Sequence, residues 1–263
     1  MLPPEYNIEG KTVLITAAAR GIGKGIVRVL VEAGARVMVT AMTDHNLDSL
    51  AAEMVSAQHP IVTLRADATK TAEWERTCEV ALQRFGQLDV LINNLGDAIT
   101  KPIVPRPGRD DPGPMTDAEW RSVVDINLTE AFLGCRTFGP HFLQRRSGKV
   151  INIGGVSAHR YRVDKVAYSA LKAALERFTQ TLAVEWAPYD VTVNAIVPGV
   201  FPDPEVASAE GFEASKERAQ KAVPLKRVGA PREVGLLALY LVSDASNYMT
   251  GEVIRLDGGV SQI

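Results

Sequence analysis

The chain is short of several things, and each shortage excludes a class of function. It has 2 cysteines in 263 residues. Cys78 and Cys135 stand apart within helix-like patterns, so neither a disulfide framework nor a cysteine-built metal centre is expected. Both read as buried thiols of a reducing, cytoplasmic compartment. The 4 histidines, His45, His59, His141 and His159, lack the spacing of zinc ligands. Excess charge is also missing: the net charge is −2 and the isoelectric point is near 6.1. Such a balance gives no electrostatic footprint for nucleic acid. No apolar run approaches the ~20 residues that span a bilayer; the longest notable one, 236–242, is short. The first residues, MLPPEYNIEGK, carry no apolar core of a secretory signal. Repeats and interdomain linkers are not found. What remains is a chain that is 46% hydrophobic, enough for one large core and one domain.

Its pattern is an alternation of short β-branched runs and helical periods. Strands are predicted at 11–16, 36–41, 61–65, 88–93, 148–154, 191–197 and 253–256. Helices are predicted from the glycine turn through residue 34, then at 44–57, 71–85, 117–145, 166–187, 205–222 and 231–243. Thr116 and Glu119 form a capping box for the fourth of these seven helices, and Pro231 suits the first turn of the last. Strand, glycine turn, helix, strand opens an α/β fold of the doubly wound, Rossmann type: a mostly parallel seven-stranded sheet with helices on both faces. Residues 101–115, KPIVPRPGRDDPGPM, break the pattern, because proline at that density forbids helix. The segment follows a strand's C-terminal end, the side where open α/β sheets bind ligands.

Two stretches carry chemistry. The first is Thr16-Ala-Ala-Ala-Arg20-Gly21-Ile-Gly23, between a strand and a helix. Glycines there let backbone N–H groups meet a pyrophosphate at the helix's positive end. The next strand ends in Thr40-Ala41-Met42-Thr43, without the acidic residue that bonds an NAD ribose; Asp44 arrives late and reads as a helix N-cap. Arg20 suits a 2′-phosphate, so NADP is expected ahead of NAD. The opposite reading has Arg20 solvated and Asp44 on the ribose. The second stretch is the amphipathic segment holding Tyr168 and Lys172, one helical turn apart and therefore on one face. A free phenol titrates near ~10, and an ammonium nearby is expected to bring it toward neutrality. Tyr161 and Lys165 share the spacing, so spacing alone does not choose between the pairs.

The order of these and further motifs resembles the short-chain dehydrogenase/reductase family over nearly the whole chain. The landmarks are the turn at 16–23, Asp67, Asn93-Asn94-Leu95-Gly96, Asn127 in DINLTEAFLG, YSALKAALERF, Val193 to Gly199, Gly229-Ala-Pro231, and Thr250-Gly251 to Asp257-Gly258-Gly259. The resemblance selects Tyr168 over Tyr161. It implies hydride transfer between NADP(H) and a small-molecule carbonyl or alcohol, with Tyr168 as general acid/base. Lys172 would bond the nicotinamide ribose, and Asn127 would hold a relay water. Cofactor contacts are implied for Thr16, Ala18, Arg20, Gly21, Ile22, Gly23, Met42, Thr43, Asp67, Ala68, Asn94, Gly96, Tyr168, Lys172, Pro198, Gly199 and Phe201. A homodimer or homotetramer paired through the helices at 117–145 and 166–187 is implied too. The substrate side would be walled by Leu95 to Ala98, Val156 to Tyr161, the 101–115 loop and a lid at 200–224 that includes Pro202, Pro204 and Gly211.

Four positions depart from the family pattern. Ala17 replaces a turn glycine, tolerable if its φ is negative. Leu95 replaces an alanine beside the adenosine. Asp203 replaces a threonine near the pyrophosphate, where its carboxylate would repel the phosphates, so either it points away or the loop is shifted. The family's serine falls, by count, on Gly155, with Ser157 as a candidate substitute because i and i+2 share a face on a strand. The serine's loss opens a second reading, an NADP-binding protein with weak turnover. A serine hydrolase is excluded, since no histidine follows His159 as that order requires. An enoyl reductase spaces its tyrosine and lysine more widely, and the position it needs is Lys165.

Overall fold

The computed structural model describes residues 3–203, 205 and 208–262. Seven strands form one parallel sheet in the order β3-β2-β1-β4-β5-β6-β7. They are β1 (Thr12–Ile15), β2 (Arg36–Ala41), β3 (Val62–Arg65), β4 (Val90–Asn93), β5 (Gly148–Ile153), β6 (Val191–Pro198) and β7 (Val253–Leu256). The helices are α1 (Gly21–Glu32), α2 (Asp44–Ser56), α3 (Thr71–Phe85), α4 (Asp117–Val124), α5 (Glu130–Arg145), α6 (Val166–Trp186), α7 (Ala209–Ala222) and α8 (Pro231–Val242). None of them is long and apolar enough to cross a membrane.

The central strands are buried along their whole length, which is why they read as continuous apolar runs. Alternation then sorts their side chains. Val13, Ile15, Val37, Val39, Val90 and Ile92 meet Ile26, Leu30, Leu50, Val234 and Leu241 on the face covered by α1, α2 and α8. Leu14, Met38, Leu91, Val150 and Val193 meet Trp74, Phe138, Phe142 and Trp186 on the face covered by α3, α5 and α6. Each fully buried side chain of this kind contributes about 1.5–3 kcal/mol. On the first face, α1 and α8 touch backbone to backbone. A Cβ on Gly25 would lie 2.5 Å from Pro231, and one on Gly235 would lie 2.6 Å from the Gly25 carbonyl oxygen.

The chain order reverses between β1 and β4, which makes a crevice at their C-terminal ends. Asparagines fix that end of the sheet. Asn93 and Asn152 stand side by side in register, Asn93 Nδ2 donates to Asn152 Oδ1 at 2.8 Å, and Asn152 Nδ2 donates to Thr179 Oγ1 on α6 at 2.9 Å. Thus α6 is held to the strands that end at the crevice.

Three departures from the predicted elements bear on function. The helix expected over 117–145 is interrupted by a π-helical turn, Asp125–Thr129, which contains Asn127. Its start is as expected: Thr116 Oγ1 accepts the Glu119 N–H at 3.2 Å and Glu119 Oε2 accepts the Thr116 N–H at 2.8 Å. α7 begins at Ala209, not 205, because Ser208 caps it through the Gly211 N–H at 3.1 Å. Asp44 does not cap α2; Thr43 holds the N-cap position and Asp44 begins the first turn. The 101–115 loop contains neither helix nor strand. Arg106 staples it, donating to Asp111 at 2.8 Å and to Asp164 at 2.6 Å. Pro204, named for the lid, lies outside the described residues.

Candidate active site

The crevice opens into a cleft of about 590 Å³ that runs from the glycine turn to α6. At one end, Thr16 ties β1 to β4: its hydroxyl accepts the Asn94 N–H at 2.9 Å and the Leu95 N–H at 3.3 Å. Asn94 Nδ2 returns bonds to the Thr16 and Ala17 carbonyls at 3.0 and 3.1 Å. These bonds hold Ala17 at φ 49°, a left-handed conformation. The condition of negative φ under which alanine is tolerable at 17 is therefore not met, and a non-glycine residue there costs about 1–2 kcal/mol. Gly23 has no room for a side chain, since a Cβ would lie 2.5 Å from Ala18 Cα and 2.6 Å from Asn94 Nδ2. Ala18 is buried beneath the turn, while Arg20, Gly21, Ile22 and Gly23 line the cleft.

Beyond β2, Met42 and Thr43 line the cleft together with Asn46. Asp44 is exposed and pairs with Arg65 at 3.5 Å. Asp67 and Ala68 do not line it; Thr69 does. The Asp67 carboxylate is engaged by the Thr69 N–H at 2.9 Å and hydroxyl at 2.7 Å, and the Ala68 carbonyl accepts the Trp74 indole N–H at 2.7 Å.

At the other end stand Tyr168 and Lys172, with the Lys172 Nζ 5.7 Å from the phenol ring centre. Tyr161 is fully exposed and precedes α6. Lys172 is buried and donates to the Ile153 carbonyl at 3.0 Å. Burial pulls its ammonium down to about 8, opposed by the Glu130 carboxylate. Burial pushes the Tyr168 phenol up, Asp97 adds to this and Arg162 opposes it. The lowering expected from the lysine is outweighed here by enclosure of the phenol, to which the Asp97 carboxylate adds. Asn127 is buried, and its Nδ2 donates to the Asp97 and Val123 carbonyls at 2.7 and 2.9 Å. Its Oδ1 has no partner among the described residues. Gly96 separates it from Lys172: a Cβ there would lie 2.7 Å from Lys172 Nζ and 3.3 Å from Asn127 Oδ1. An orphaned buried oxygen facing an ammonium across this gap is suited to a bound water.

Gly155, not Ser157, faces the phenol. A Cβ on Gly155 would lie 2.9 Å from the Tyr168 hydroxyl and 3.5 Å from Lys172 Cγ. Strand geometry ends at Ile153, and Val156–Ala158 is a 3-10 turn, so the i+2 argument for Ser157 fails. Ser157 is buried and does not line the cleft. Pro198 and Gly199 also lie off the cleft. Gly199 N–H donates to the Leu256 carbonyl at 3.0 Å, and a Cβ on Gly199 would lie 2.6 Å from Asp257 Cα. Phe201 does line the cleft, as do Leu95, Gly96, Asp97, Ile126 and Gly154.

Asp203 turns toward the cleft, so its carboxylate does not point away. Its Oδ2 lies 3.1 Å from the Cβ position of Gly21, at the start of α1. Glu205 holds the same segment by a 2.5 Å bond from Lys24, which also meets Glu53 at 2.9 Å. A carboxylate thus sits where the helix's positive end attracts an anion. The glycine turn would offer its backbone N–H groups to a dinucleotide pyrophosphate, with the Asp203 carboxylate beside it. A second cavity, of about 680 Å³, lies at the opposite end of the sheet; its Lys11 and Arg146 are paired with Asp244 and Asp190. Among the described residues, no three His, Cys, Asp or Glu side chains are grouped to hold a metal.

A family model described as Enoyl-(Acyl carrier protein) reductase matches residues 16–261. The 3-oxoacyl-(acyl-carrier-protein) reductase of Thermotoga maritima is 32% identical over 254 residues, which cover 97% of this chain and 99% of that one. The NAD-dependent glycerol dehydrogenase of Listeria innocua is 32% identical over 256 residues, 97% of this chain and 95% of that one. The crystal structure of a gluconate 5-dehydrogenase from Burkholderia cenocepacia in complex with NADP and tartrate superposes with a TM-score of 0.87 at 25% identity, covering 98% of each chain. With a glycine turn, a reversed strand order and a buried lysine one turn from a cleft-facing tyrosine, the chain belongs to the short-chain dehydrogenase/reductase family, a family of nicotinamide-dependent oxidoreductases acting on small molecules.

Proposed function

We propose that this chain transfers hydride between NADP(H) and a carbonyl or secondary alcohol, with Tyr168 as the proton donor and acceptor. The observation that carries the reading is the placement of Tyr168 and Lys172 at one end of the cleft whose other end is the glycine turn. When bound, the reduced nicotinamide supplies the hydride. Tyr168 holds a proton on its hydroxyl and delivers it to the carbonyl oxygen. Lys172 would hold the nicotinamide ribose and favour the phenolate left behind. Asn127 would offer its orphaned Oδ1 to a water that returns protons through Lys172. The turn at 16–23 would take the pyrophosphate, and Met42, Thr43, Asn46 and Thr69 the adenosine side. NADP is preferred over NAD because Asp44 is exposed and turned to Arg65 at 3.5 Å, whereas Arg20 lines the cleft and has no ion-pair partner among the described residues.

The substrate would enter between Asp97, the stapled 101–115 loop and the 200–224 segment. These walls favour a bulky apolar ketone or a β-keto acyl compound, the class named by the Thermotoga relative. An enoyl reductase is less well supported, since its tyrosine position is Lys165. Pairing into a dimer or tetramer would use α5 and α6, where Phe132 and Val184 are exposed. Two free thiols suit a cytoplasmic setting.

Gly155 and Asp203 favour a second reading, a dinucleotide binder with little turnover. Oxidation of NADPH followed across a panel of ketones, aldehydes and β-keto thioesters separates the two, with Tyr168→Phe as the control. Substrate-dependent oxidation above that control is the expected outcome. Tight dinucleotide binding with no such oxidation on any substrate would leave only the binder.

A further inference from the structure

Lys149 is out of pattern. It stands second in β5, between Gly148 and Val150, in a strand buried along its whole length, and is itself 7% exposed. Alternation puts it on the same face as Ile151 and Ile153, so its side chain runs toward the turn that follows α8. There its Nζ donates to the Ser246 hydroxyl at 3.2 Å. The Ser246 proton is already directed at the Leu241 and Ser243 carbonyls, at 2.9 and 3.0 Å, so toward Lys149 this hydroxyl accepts. An ammonium carries three N–H donors. The other two meet no side chain or carbonyl among the described residues, and no carboxylate pairs with the group.

The same ammonium lines the cavity of about 680 Å³ at the N-terminal end of the sheet. A space of that size holds a small molecule. The other charges of its wall are accounted for. Lys11 meets Asp244 at 2.8 Å, Arg146 meets Asp190 at 3.0 Å, and Asp89 is held by Arg145 at 3.0 Å and by the Thr12 hydroxyl at 2.9 Å. Lys149 is the charge left over among the described residues. Burial pulls its ammonium down to about 8, Lys11 adds to this and Asp244 opposes it, so the group is mostly charged at neutral pH. A buried cation with one neutral acceptor is costly, and an anion entering the cavity would offset that cost. The Asn247 side chain also lines the cavity, with no partner among the described residues, while Val90, Ala187 and Val191 give it apolar wall.

We propose that this cavity is a ligand site separate from the cleft, for a small molecule that bears one carboxylate on an apolar body. Lys149 is its charged partner and Asn247 a further hydrogen-bonding group. A single charge follows from the wall: one surplus cation is matched by one carboxylate. A dianion such as phosphate would leave a negative charge among Asp89, Asp190 and Asp244. The site stands whether or not Tyr168 turns over a substrate.

Butyrate is a sufficient probe, added to the full chain without dinucleotide at low salt. Carbon-13 labelling of lysine gives a side-chain signal for each ammonium, and Lys149→Met, which keeps the length and removes the charge, identifies the one from Lys149. Butyrate is expected to shift that signal saturably, and inorganic phosphate to bind there more weakly. Lys11, in the same wall, reports binding in the variants. Butyrate affinity should fall at least about tenfold in Lys149→Met, which loses a charged hydrogen bond, and about threefold in Asn247→Ala, which loses a neutral one. Asn247→Ala lies at the exposed rim and keeps the comparison open if Lys149→Met does not fold. A Lys149 signal that butyrate leaves in place overturns the inference. So does either variant binding butyrate as tightly as wild type, or phosphate bound more tightly than butyrate.

Discussion

Replacing Gly155 is the sharpest probe of the chemistry, because two opposed effects meet at one atom. A new Cβ would lie 2.9 Å from the Tyr168 hydroxyl, closer than van der Waals contact allows. The hydroxyl ends a side chain and can retreat by a few tenths of an ångström, which weakens its aim at a substrate. Gly155 has φ −175°, an extended conformation that any residue adopts, so no backbone strain is added. Alanine therefore isolates the steric effect and serine adds a hydrogen-bond donor to the same effect. A donor that meets developing charge is worth about 2.7–4 kcal/mol, or 10²–10³ in kcat. Gly155→Ala is expected to slow the fastest substrate several-fold. Gly155→Ser is expected to exceed Gly155→Ala by at least about tenfold, which needs only ~1.4 kcal/mol of that donor energy. Steady-state kcat for wild type and both variants measures it. Equal rates for serine and alanine would mean that no charge develops next to position 155, and the placement of the substrate oxygen beside Tyr168 would have to be abandoned.

Three further perturbations have definite signs. Ala17→Gly removes the penalty of φ 49°, so stability should rise by about 1 kcal/mol and Tm by roughly 2–4 °C; a melting curve at or below wild type contradicts the strain. Asp203→Ala removes the carboxylate from the start of α1, and dinucleotide affinity should improve about threefold to tenfold at low salt. Fluorescence titration should find that gain shrinking as salt is added, and a salt-independent gain would point to another cause. Asp89→Asn tests the packing of β1 against β4: burial alone would raise this carboxyl, but bonds from the Thr12 N–H, the Thr12 hydroxyl and Arg145 outweigh it and hold it low. Its contribution is complete above the unfolded value of ~3.9 and lost as the pH falls through the lower folded value. The variant should cost about 1.5–3 kcal/mol in urea unfolding at neutral pH, with the difference closing in acid.

The sheet was legible because parallel strands covered on both faces must be apolar throughout, and the runs around Val13, Leu91, Val150 and Val193 are. The glycine turn was legible because only Gly23 allows Ala18 and Asn94 to approach. Features set by neighbours were not. The π-turn at Asn127 adds one residue to a turn without changing the hydrophobic period that sequence reading detects. Asp67 and Thr69 differ in role because an Asx-type bond turns the acid inward, and nothing in the string favours one over the other. Whether Asp203 faced the cleft depended on where Lys24 would draw Glu205, a contact across the chain.

The departures fall at both ends of the cleft, and their magnitudes decide between enzyme and binder. Ala17 and Asp203 act on the pyrophosphate end, where a strained turn and a carboxylate weaken binding by about an order of magnitude each at most. Gly155 acts on the chemical end, where one absent donor costs about 10²–10³. Enzymes accelerate their reactions by 10⁶-fold or more, roughly. Losing one donor therefore leaves several orders of magnitude in hand, provided the remaining groups are placed. They are: Tyr168 faces the cleft, Lys172 is buried on the Ile153 carbonyl, and Asn127 keeps an oxygen free toward it. A protein that only bound a dinucleotide would have little use for an unpartnered oxygen held beside a buried ammonium, which suits a proton relay. Buried Lys172, set beside the free Asn127 oxygen, is thus the argument for turnover that the missing serine does not cancel.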